Sequence, residues 1–193
     1  MRKFWPELIA VNNIVNKGKF QIAPAYKHLR GDVPIVDWKH LTCHNVAEPK
    51  RVFILWLTLL GRLRTKDRLI KWGLSVDDQC VFCNSAIETA LHLFFNCPFS
   101  HTIWLGILQW LQWQRNILPW NEEWKWVNEQ ARGKHARERI LKASLATVVY
   151  NIWIERNTRV FQHKSRSIDD ILLATKTGLC YRFSSNRKYF DFI

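Results

Sequence analysis

Cysteine and histidine residues with the spacing of zinc ligands lie in the middle of the chain. The pattern is C-x2-C-x8-H-x4-C, formed by Cys80, Cys83, His92 and Cys97. Two cysteines separated by two residues can place both sulfurs about 2.3 Å from one zinc ion at a tetrahedral angle. Four soft and borderline ligands fill the coordination sphere and leave no position for water or substrate. The pattern therefore predicts a structural zinc site and not a catalytic one.

Two other uses of these cysteines are less well supported. A thioredoxin-type C-x-x-C motif requires a preceding strand and a helix that begins at the first cysteine, whereas residues 74–79 predict a polar loop. Buried thiols with a core histidine are the second alternative, but four ligands in register favour zinc. Cys43 and Cys180, which have no paired neighbour, are predicted to be buried thiols, and His44 is predicted to be structural.

The zinc ligands require a helix that stops between His92 and Cys97. These residues are five positions apart, about 140° around an ideal helix, so both can face one ion only if the helix ends between them. Asn96 tolerates the left-handed conformation, so we expect it to turn the chain there. Pro98 then starts the next helix.

Capping signals predict where several helices begin. Ser85 and Glu88 have the spacing of a capping box, which would start the helix of the histidine ligand, and Thr89 is the alternative start one turn later. Ser167 and Asp170 have the same spacing before the last predicted helix.

The rest of the sequence predicts a mainly α fold. We expect a short extended piece at 19–22 and helices at 24–29, 50–60, 65–72, from 98 onward, 136–161 and after 167. Residues 50–60 are apolar on nearly every face, as in a helix at the centre of a domain, whereas 136–161 form an amphipathic pattern. Thr65 is a predicted N-cap. The predicted fold is a small helical domain organised around one CCHC zinc site, with at most a short β element near the N-terminus.

The positive charge of the chain lies on both sides of the zinc-ligand segment. The 193 residues are 48% hydrophobic and 23% charged, which excludes a disordered or fibrous chain, and the net charge is +13. Residues 80–130 contain 2 basic and 4 acidic residues, so the surplus lies on the flanks. A basic surplus points first to nucleic acid and second to an anionic membrane surface. The candidate phosphate contacts are Arg62, Arg64, Lys66, Arg68 and Lys71 before the segment, and Arg132, Lys134, Arg137 and Arg139 after it.

These side chains also have a simpler interpretation. Lysines and arginines commonly solvate helix faces without binding anything. Four tryptophans could stack on unpaired bases, although tryptophans at helical spacing more often form core; they are Trp72, Trp110, Trp113 and Trp120.

The sequence predicts an intracellular protein, nuclear or cytoplasmic, without a membrane segment. The longest apolar stretch, Val52–Leu60, is less than half of the roughly 20 residues that span a bilayer. The first residues lack the apolar run of a signal peptide. Five cysteines, an odd number, argue against a disulfide framework and fit a reducing compartment.

Beyond these patterns, the sequence resembles the zinc-binding domain of plant non-LTR (LINE-type) retrotransposon reverse transcriptases. The resemblance covers residues 18–165 and is carried by Gly18-Lys-Phe20, Ala25-Tyr26, Phe53-Ile-Leu-Trp56, Gly61-Arg-Leu-Arg-Thr-Lys-Asp-Arg-Leu69, Lys71-Trp-Gly73, Cys80-Val-Phe-Cys83, Glu88-Thr89, His92-Leu-Phe-Phe95, Cys97-Pro98, Ile103-Trp104, Ile152-Trp-Ile-Glu-Arg-Asn157 and Val160-Phe161. The family implies a role after the polymerase domain of an element that copies RNA into DNA at a nicked target site.

The sequence predicts no polymerase, endonuclease or RNase H activity. Nucleotidyl transfer requires paired carboxylates that hold two metal ions, and the only adjacent pair of acids before the zinc ligands, Asp77-Asp78, reads as loop residues. We therefore expect a non-enzymatic module that binds zinc and RNA or DNA. The alternatives are an interaction module that packs against a reverse transcriptase polymerase domain, and a non-functional retroelement remnant.

Three segments follow from this interpretation. Residues 1–17 are expected to be an N-terminal extension and residues 18–115 the zinc-binding domain. Residues 116–193 are expected to be a helical C-terminal extension that packs on that domain.

Overall fold

The chain divides into two compact units, Met1–Val36 and Asp37–Ile193. A computed structural model describes residues 15–16, 19–31, 36–133 and 135–184. In the first unit, strands β1 (Val15–Asn16) and β2 (Lys19–Phe20) pair antiparallel, and helix α1 (Ile22–Arg30) follows. Gly31 ends α1 with a φ of 68°, a conformation that glycine adopts without strain. The predicted short β element near the N-terminus is therefore confirmed.

The described part of the second unit is helical, as predicted. Its helices are α2 (Lys39–Thr42), α3 (Pro49–Leu59), α4 (Lys66–Lys71), α5 (Pro98–Trp110), α6 (Trp120–Gln130), α7 (Ala136–Gln162) and α8 (Ile168–Ser184). A wide turn, His92–Asn96, precedes α5. Helix α7 packs against α3, α6 and α8, and α8 also packs against α5. None of the described helices combines the length and the apolar character needed to cross a membrane.

Local sequence signals set most helix starts, with two corrections. The Asp170 N–H donates to the Ser167 hydroxyl and the Ser167 N–H to the Asp170 carboxylate, each at 3.1 Å, which confirms the predicted capping box of α8. Thr65 occupies the N-cap of α4, but its hydroxyl donates to the Asp67 carboxylate and makes no capping bond. The predicted helix start at Ser85 is wrong, because that residue lies in a loop.

The central helix is α7 and not α3, contrary to the sequence prediction. On α3 only Leu55 and Thr58 are buried, and Phe53 is 54% exposed. By contrast, a continuous run of α7 is buried on all sides, from Ile140 to Val149. Small residues in that run, such as Ala143 and Ala146, allow neighbouring helices to pack closely on every face. The helix whose sequence is apolar on nearly every face, α3, is therefore not the helix that the fold encloses.

A buried carboxylate connects α5 to α6. Glu123 accepts a hydrogen bond from the indole N–H of Trp104 at 2.8 Å, and one from the Leu118 N–H at 2.8 Å. Arg115 neutralises its charge through an ion pair. Because buried indole N–H groups need an acceptor, this contact lets Trp104 be completely enclosed. Trp120 is also buried, so it serves packing and not base stacking.

Truncating a core side chain of α7 should therefore lower the free energy of unfolding more than truncating a side chain of α3. We expect Leu145→Ala to lower the free energy of unfolding by about 2–5 kcal/mol, because Leu145 is fully buried. Phe53→Ala should cost about 1 kcal/mol or less, because the ring is half in solvent. Urea denaturation of both variants measures the difference. Equal losses would contradict the central position of α7.

Candidate metal centre

The first two ligands lie on a short hairpin-like loop. Gln79 and Ile87 form an antiparallel bridge, and the Cys80 N–H donates to the Ala86 carbonyl at 2.8 Å. The Asn84 N–H donates to the Cys80 carbonyl at 2.9 Å, and Asn84 itself has a left-handed φ of 52°. Asparagine is among the few residues that adopt this conformation readily. The loop is therefore closed by its own backbone, as expected of a C-x2-C metal loop.

The other two ligands flank the wide turn before α5. The Thr89 hydroxyl accepts a hydrogen bond from the His92 N–H at 3.0 Å, so the helical turn begins at Thr89, one of the two predicted starts. The helix then stops, and the Cys97 N–H bonds the His92 carbonyl at 2.8 Å. This return of the chain brings Cys97 back toward His92.

The residue that turns the chain is Phe95, which corrects the prediction for Asn96. Phe95 has a φ of 75°, a conformation that is strained for a bulky side chain. Packing holds it there, because its buried ring lies 5.3 Å from the ring of Trp104 and 5.4 Å from that of Trp120. The Asn96 side-chain oxygen instead accepts a hydrogen bond from the backbone N–H of Trp120 at 3.3 Å, at the start of α6. The turn thus depends on contacts that are distant in sequence.

The four ligand atoms fit a tetrahedral zinc ion. They all lie within 4.8 Å of one another, with Cys80 Sγ 3.9 Å from Cys97 Sγ and Cys83 Sγ 3.3 Å from His92 Nε2. Zinc–sulfur bonds of about 2.3 Å and zinc–nitrogen bonds of about 2.0 Å imply ligand separations of roughly 3.5–3.8 Å. These residues are therefore positioned to hold one zinc ion with protein atoms alone, which is the arrangement of a structural site.

Hydrogen bonds around Cys80 favour the thiolate, the form that binds zinc. The contact with the Cys97 thiol lowers the pKa of Cys80 to about 5, and the backbone N–H groups of Cys83 and Phe82 act in the same direction. The same contact, together with burial, raises the pKa of Cys97. Zinc binding would displace the thiol protons, because zinc binds the thiolate form of cysteine.

A buried ion pair attaches the metal loop to the central helix. The Arg156 guanidinium of α7 donates to the Glu88 carboxylate from Nη2 at 2.7 Å and from Nε at 3.0 Å. The Lys66 backbone N–H at the start of α4 donates to the same carboxylate at 3.0 Å. Glu88 is fully buried, and Arg156 is 3% exposed at its side chain. One carboxylate therefore joins the loop between the ligands to both α4 and α7.

Aromatic stacking makes a second attachment close to the ligands. Phe82, between Cys80 and Cys83, stacks on Phe99 of α5 with ring centroids 4.5 Å apart. The Arg159 guanidinium of α7 lies 4.5 Å from the Phe99 ring and 5.0 Å from the Phe82 ring.

Glu155 holds Arg159 in that position. It accepts hydrogen bonds from Arg159 at 2.8 Å and from the backbone and side chain of Arg166 at 2.9 Å. Burial alone would raise the pKa of Glu155, but these hydrogen bonds outweigh burial and lower it. The carboxylate is therefore charged at neutral pH, and the arginine remains over the two rings.

Sequence reasoning did not identify Glu88, Arg156, Glu155 or Arg159 as parts of this site. The spacing between Ser85 and Glu88 indicates a capping box, and no local spacing connects Glu88 to a residue in α7. The available signal was the presence of acidic and basic residues within apolar stretches, because charged side chains are rarely buried without a partner.

The predicted phosphate contacts before the metal loop differ in their surroundings. Arg62 and Arg64 are exposed, and Lys71 lies 3.7 Å from Asp67 at the surface. The Arg68 guanidinium lies 5.1 Å from the ring of Trp72. Lys66 is only 13% exposed at its side chain.

The Lys66 ammonium group is bound inside the metal loop. It donates to the Asp77 carboxylate at 2.8 Å and to the Gln79 carbonyl at 2.7 Å, and its side chain is only 13% exposed. Asp77 also accepts the Gln79 N–H at 3.1 Å, and Asp78 accepts the Gln79 side-chain amide at 2.9 Å. Both acids are thus engaged in the loop.

The second group of candidate phosphate contacts surrounds the start of α7. Arg132 and Arg137 are exposed, and the Arg137 guanidinium lies 4.0 Å from the ring of Trp113. Arg139 is partly buried, and Lys134 lies outside the described residues. The prediction of buried thiols is wrong for Cys43, which is exposed, whereas Cys180 is partly buried.

Removing one ligand should abolish stoichiometric zinc. We expect one zinc per chain in the purified protein, and Cys80→Ser should lose most of it and lower the melting temperature, because the site contributes folding free energy. Cys43→Ser is the matched control, since Cys43 lies outside the cluster. Metal analysis and thermal melts with and without chelator measure both effects. Equal zinc content in the two variants would contradict the site.

Breaking the buried ion pair should destabilise the protein even when zinc is saturating. We expect Arg156→Leu to cost about 3–5 kcal/mol in the free energy of unfolding, because it leaves the Glu88 charge buried without its partner. The double variant Glu88→Met, Arg156→Leu should lose less than the sum of the single changes. Arg62→Leu, at an exposed position, is the control. Additive losses in urea denaturation would show that the pair is not coupled.

Comparison with known proteins agrees with the chemistry of this centre. Residues 20–104, less than half of the chain, match a family model described as zinc-binding in reverse transcriptase. No curated protein and no solved structure matches the chain at a significant level. The matched segment contains all four ligands, and the prediction of zinc as the cofactor is confirmed. The match supports, for this segment, the resemblance to a retrotransposon reverse transcriptase zinc-binding domain.

Proposed function

We propose that the chain is a non-catalytic, zinc-stabilised helical module that binds RNA or DNA. It would derive from a plant LINE-type reverse transcriptase and act inside the cell, in the nucleus or cytoplasm. In this proposal, residues 18–115 are the zinc-binding domain, flanked by an N-terminal extension (1–17) and a helical C-terminal extension (116–193). The family match and the basic flanks support the proposal.

A surface groove beside α4 is the observation that carries the nucleic-acid part of the proposal. The groove has a volume of about 540 Å³, and Arg68, Lys71 and Trp72 line it together. Trp72 is 54% exposed, so its indole face is available to a ligand. Exposed aromatic rings beside cationic side chains are the combination that binds single strands, because bases stack on the ring while the cations contact phosphates.

In this proposal the metal supports the groove through the metal loop and does not contact the nucleic acid itself. Three thiolates with one zinc ion carry a net charge of about −1, which repels phosphate. The metal loop holds the start of α4 through the two hydrogen bonds to the Lys66 ammonium and the bond from its N–H to Glu88. Zinc would therefore order the groove by fixing the loop that supports α4.

Binding should be dependent on salt and on the groove residues. We expect the affinity for single-stranded RNA to fall as salt rises, and Lys71→Ala to reduce the slope of log K against log salt by about 1. Trp72→Ala should weaken the binding of single-stranded RNA by about 1–3 kcal/mol per stacked base, and it should weaken the binding of duplex DNA less. Fluorescence anisotropy titrations at several salt concentrations measure both.

Lys125→Ala is the matched control for this experiment. Lys125 is an exposed lysine on α6, in the segment without a basic surplus, and its removal changes the net charge equally. We expect it to bind like the unmodified protein. No binding at low salt, or binding without salt dependence, would refute the nucleic-acid proposal.

Exposed apolar side chains near the same groove favour a second candidate function. They lie on or beside α4 and the metal loop: Ile70, Leu74, Val76, Ile87 and Leu91. A protein partner could cover exposed apolar side chains of this kind. We propose as the alternative that these side chains pack against a reverse transcriptase polymerase domain. Sedimentation of the chain with such a domain tests it, and Leu91→Glu should abolish association; no association would refute it.

A further inference from the structure

A second, strongly basic cavity lies between α2 and the start of α7. Its volume is about 430 Å³, within the range of ligand-binding pockets. The charged and titratable side chains that line it are His40, His44, Arg132, Arg139 and Lys142, with Cys43 beside them. None of the described residues that line the cavity is acidic. The Glu138 carboxylate lies against Gly133 at the edge, but Glu138 is not part of the lining.

Lys142 has an unusual position for a lysine. The residue is only 7% exposed, and burial together with the neighbouring Arg139 charge lowers its pKa. The charged form of Lys142 is therefore less favourable than that of an ordinary lysine, and an anion in the cavity would stabilise it.

Hydrogen bonds of the Asn45 side chain to the backbone hold the cavity wall in place. The Asn45 side-chain amide donates to the Leu41 carbonyl at 2.7 Å and to the Lys142 carbonyl at 3.2 Å, which attaches the end of α2 to α7. Its oxygen accepts the Ala47 N–H at 2.9 Å. Between these contacts, His44 adopts a left-handed φ of 57°, which is uncommon for a residue other than glycine. The wall that α2 contributes to the cavity is therefore held on α7.

The charges of the lining exclude a cation and favour an anion. His40, Cys43 and His44 include metal-ligand types, but the described residues contain one metal-type cluster, and these three are not part of it. Two arginines and a lysine would repel a metal ion. Arginine and lysine together are the side chains that proteins use to hold phosphate groups.

We propose that this cavity binds a phosphate group of the nucleic acid, with Arg132, Arg139 and Lys142 as its charged contacts. The inference rests on the proposed function and adds a fixed anchor point, separate from the groove beside α4. The phosphate is either the terminal phosphate of a strand or an internal phosphodiester, and both present the same oxygen acceptors to the cavity.

Titrations with three probes test the proposal and identify the source of the phosphate. The probes are inorganic phosphate, a 5′-phosphorylated RNA oligonucleotide and the same oligonucleotide with a 5′-hydroxyl group. We expect Arg132→Gln and Lys142→Met each to weaken binding of the phosphorylated oligonucleotide about tenfold or more, because each removes a charged hydrogen-bond donor. If the variants lose equal affinity for the two oligonucleotides, the cavity binds an internal phosphodiester. If they lose affinity only for the phosphorylated oligonucleotide, the cavity binds the terminal phosphate.

Lys125→Gln is the control for the loss of one positive charge, because Lys125 is exposed, does not line the cavity and is not among the candidate phosphate contacts. Thermal melts establish that Lys142→Met is folded, and Arg132→Gln changes an exposed side chain, so it reports on the cavity independently.

The outcomes separate this proposal from the proposed function. If the affinities of Arg132→Gln and Lys142→Met for both oligonucleotides equal those of Lys125→Gln while binding remains salt-dependent, the cavity proposal is overturned and nucleic-acid binding stands. If inorganic phosphate binds and both cavity variants weaken it, but neither oligonucleotide binds, the anion site stands and the proposed function is overturned.

Discussion

The buried ion pair between Glu88 and Arg156 is the contact on which the rest of the structure depends. Its carboxylate receives hydrogen bonds from α7 and from the first residue of α4, and it lies in the loop between the metal ligands. Zinc can close that loop, but zinc alone cannot orient it on the helices. The ion pair sets that orientation, and with it the position of the groove that contains Arg68 and Trp72.

A second constraint is the left-handed turn at Phe95. A bulky residue in this conformation is stable only when packing compensates the strain. Trp104 and Trp120 supply that packing, and Glu123 satisfies the Trp104 indole so that the ring can be enclosed. The chain contains 11 tryptophans, and these two form the support that keeps His92 and Cys97 on one side of a metal ion.

The sequence predicted what short-range rules determine. The four zinc ligands, the start of the helical turn at Thr89 and the capping box of α8 follow from spacings of a few residues. Two predictions failed because distant contacts decided them: the central helix and the residue that turns the chain. The contacts of the Lys66 ammonium group were also not predicted. The partner of Glu88 was also invisible, because no local pattern relates positions 88 and 156.

The separation between Glu88 and Arg156 has a consequence for synthesis on the ribosome. The four metal ligands emerge within a stretch of 18 residues, so zinc can bind as soon as that stretch is free. At roughly 5–20 residues per second, the 59 residues from Cys97 to Arg156 (156 − 97 = 59) require about 3–12 s more. During that interval the metal loop exists with an uncompensated carboxylate and an uncovered apolar side. Loading the metal therefore does not end the exposure of the nascent chain to aggregation and chaperone binding, which lasts until α7 has been made.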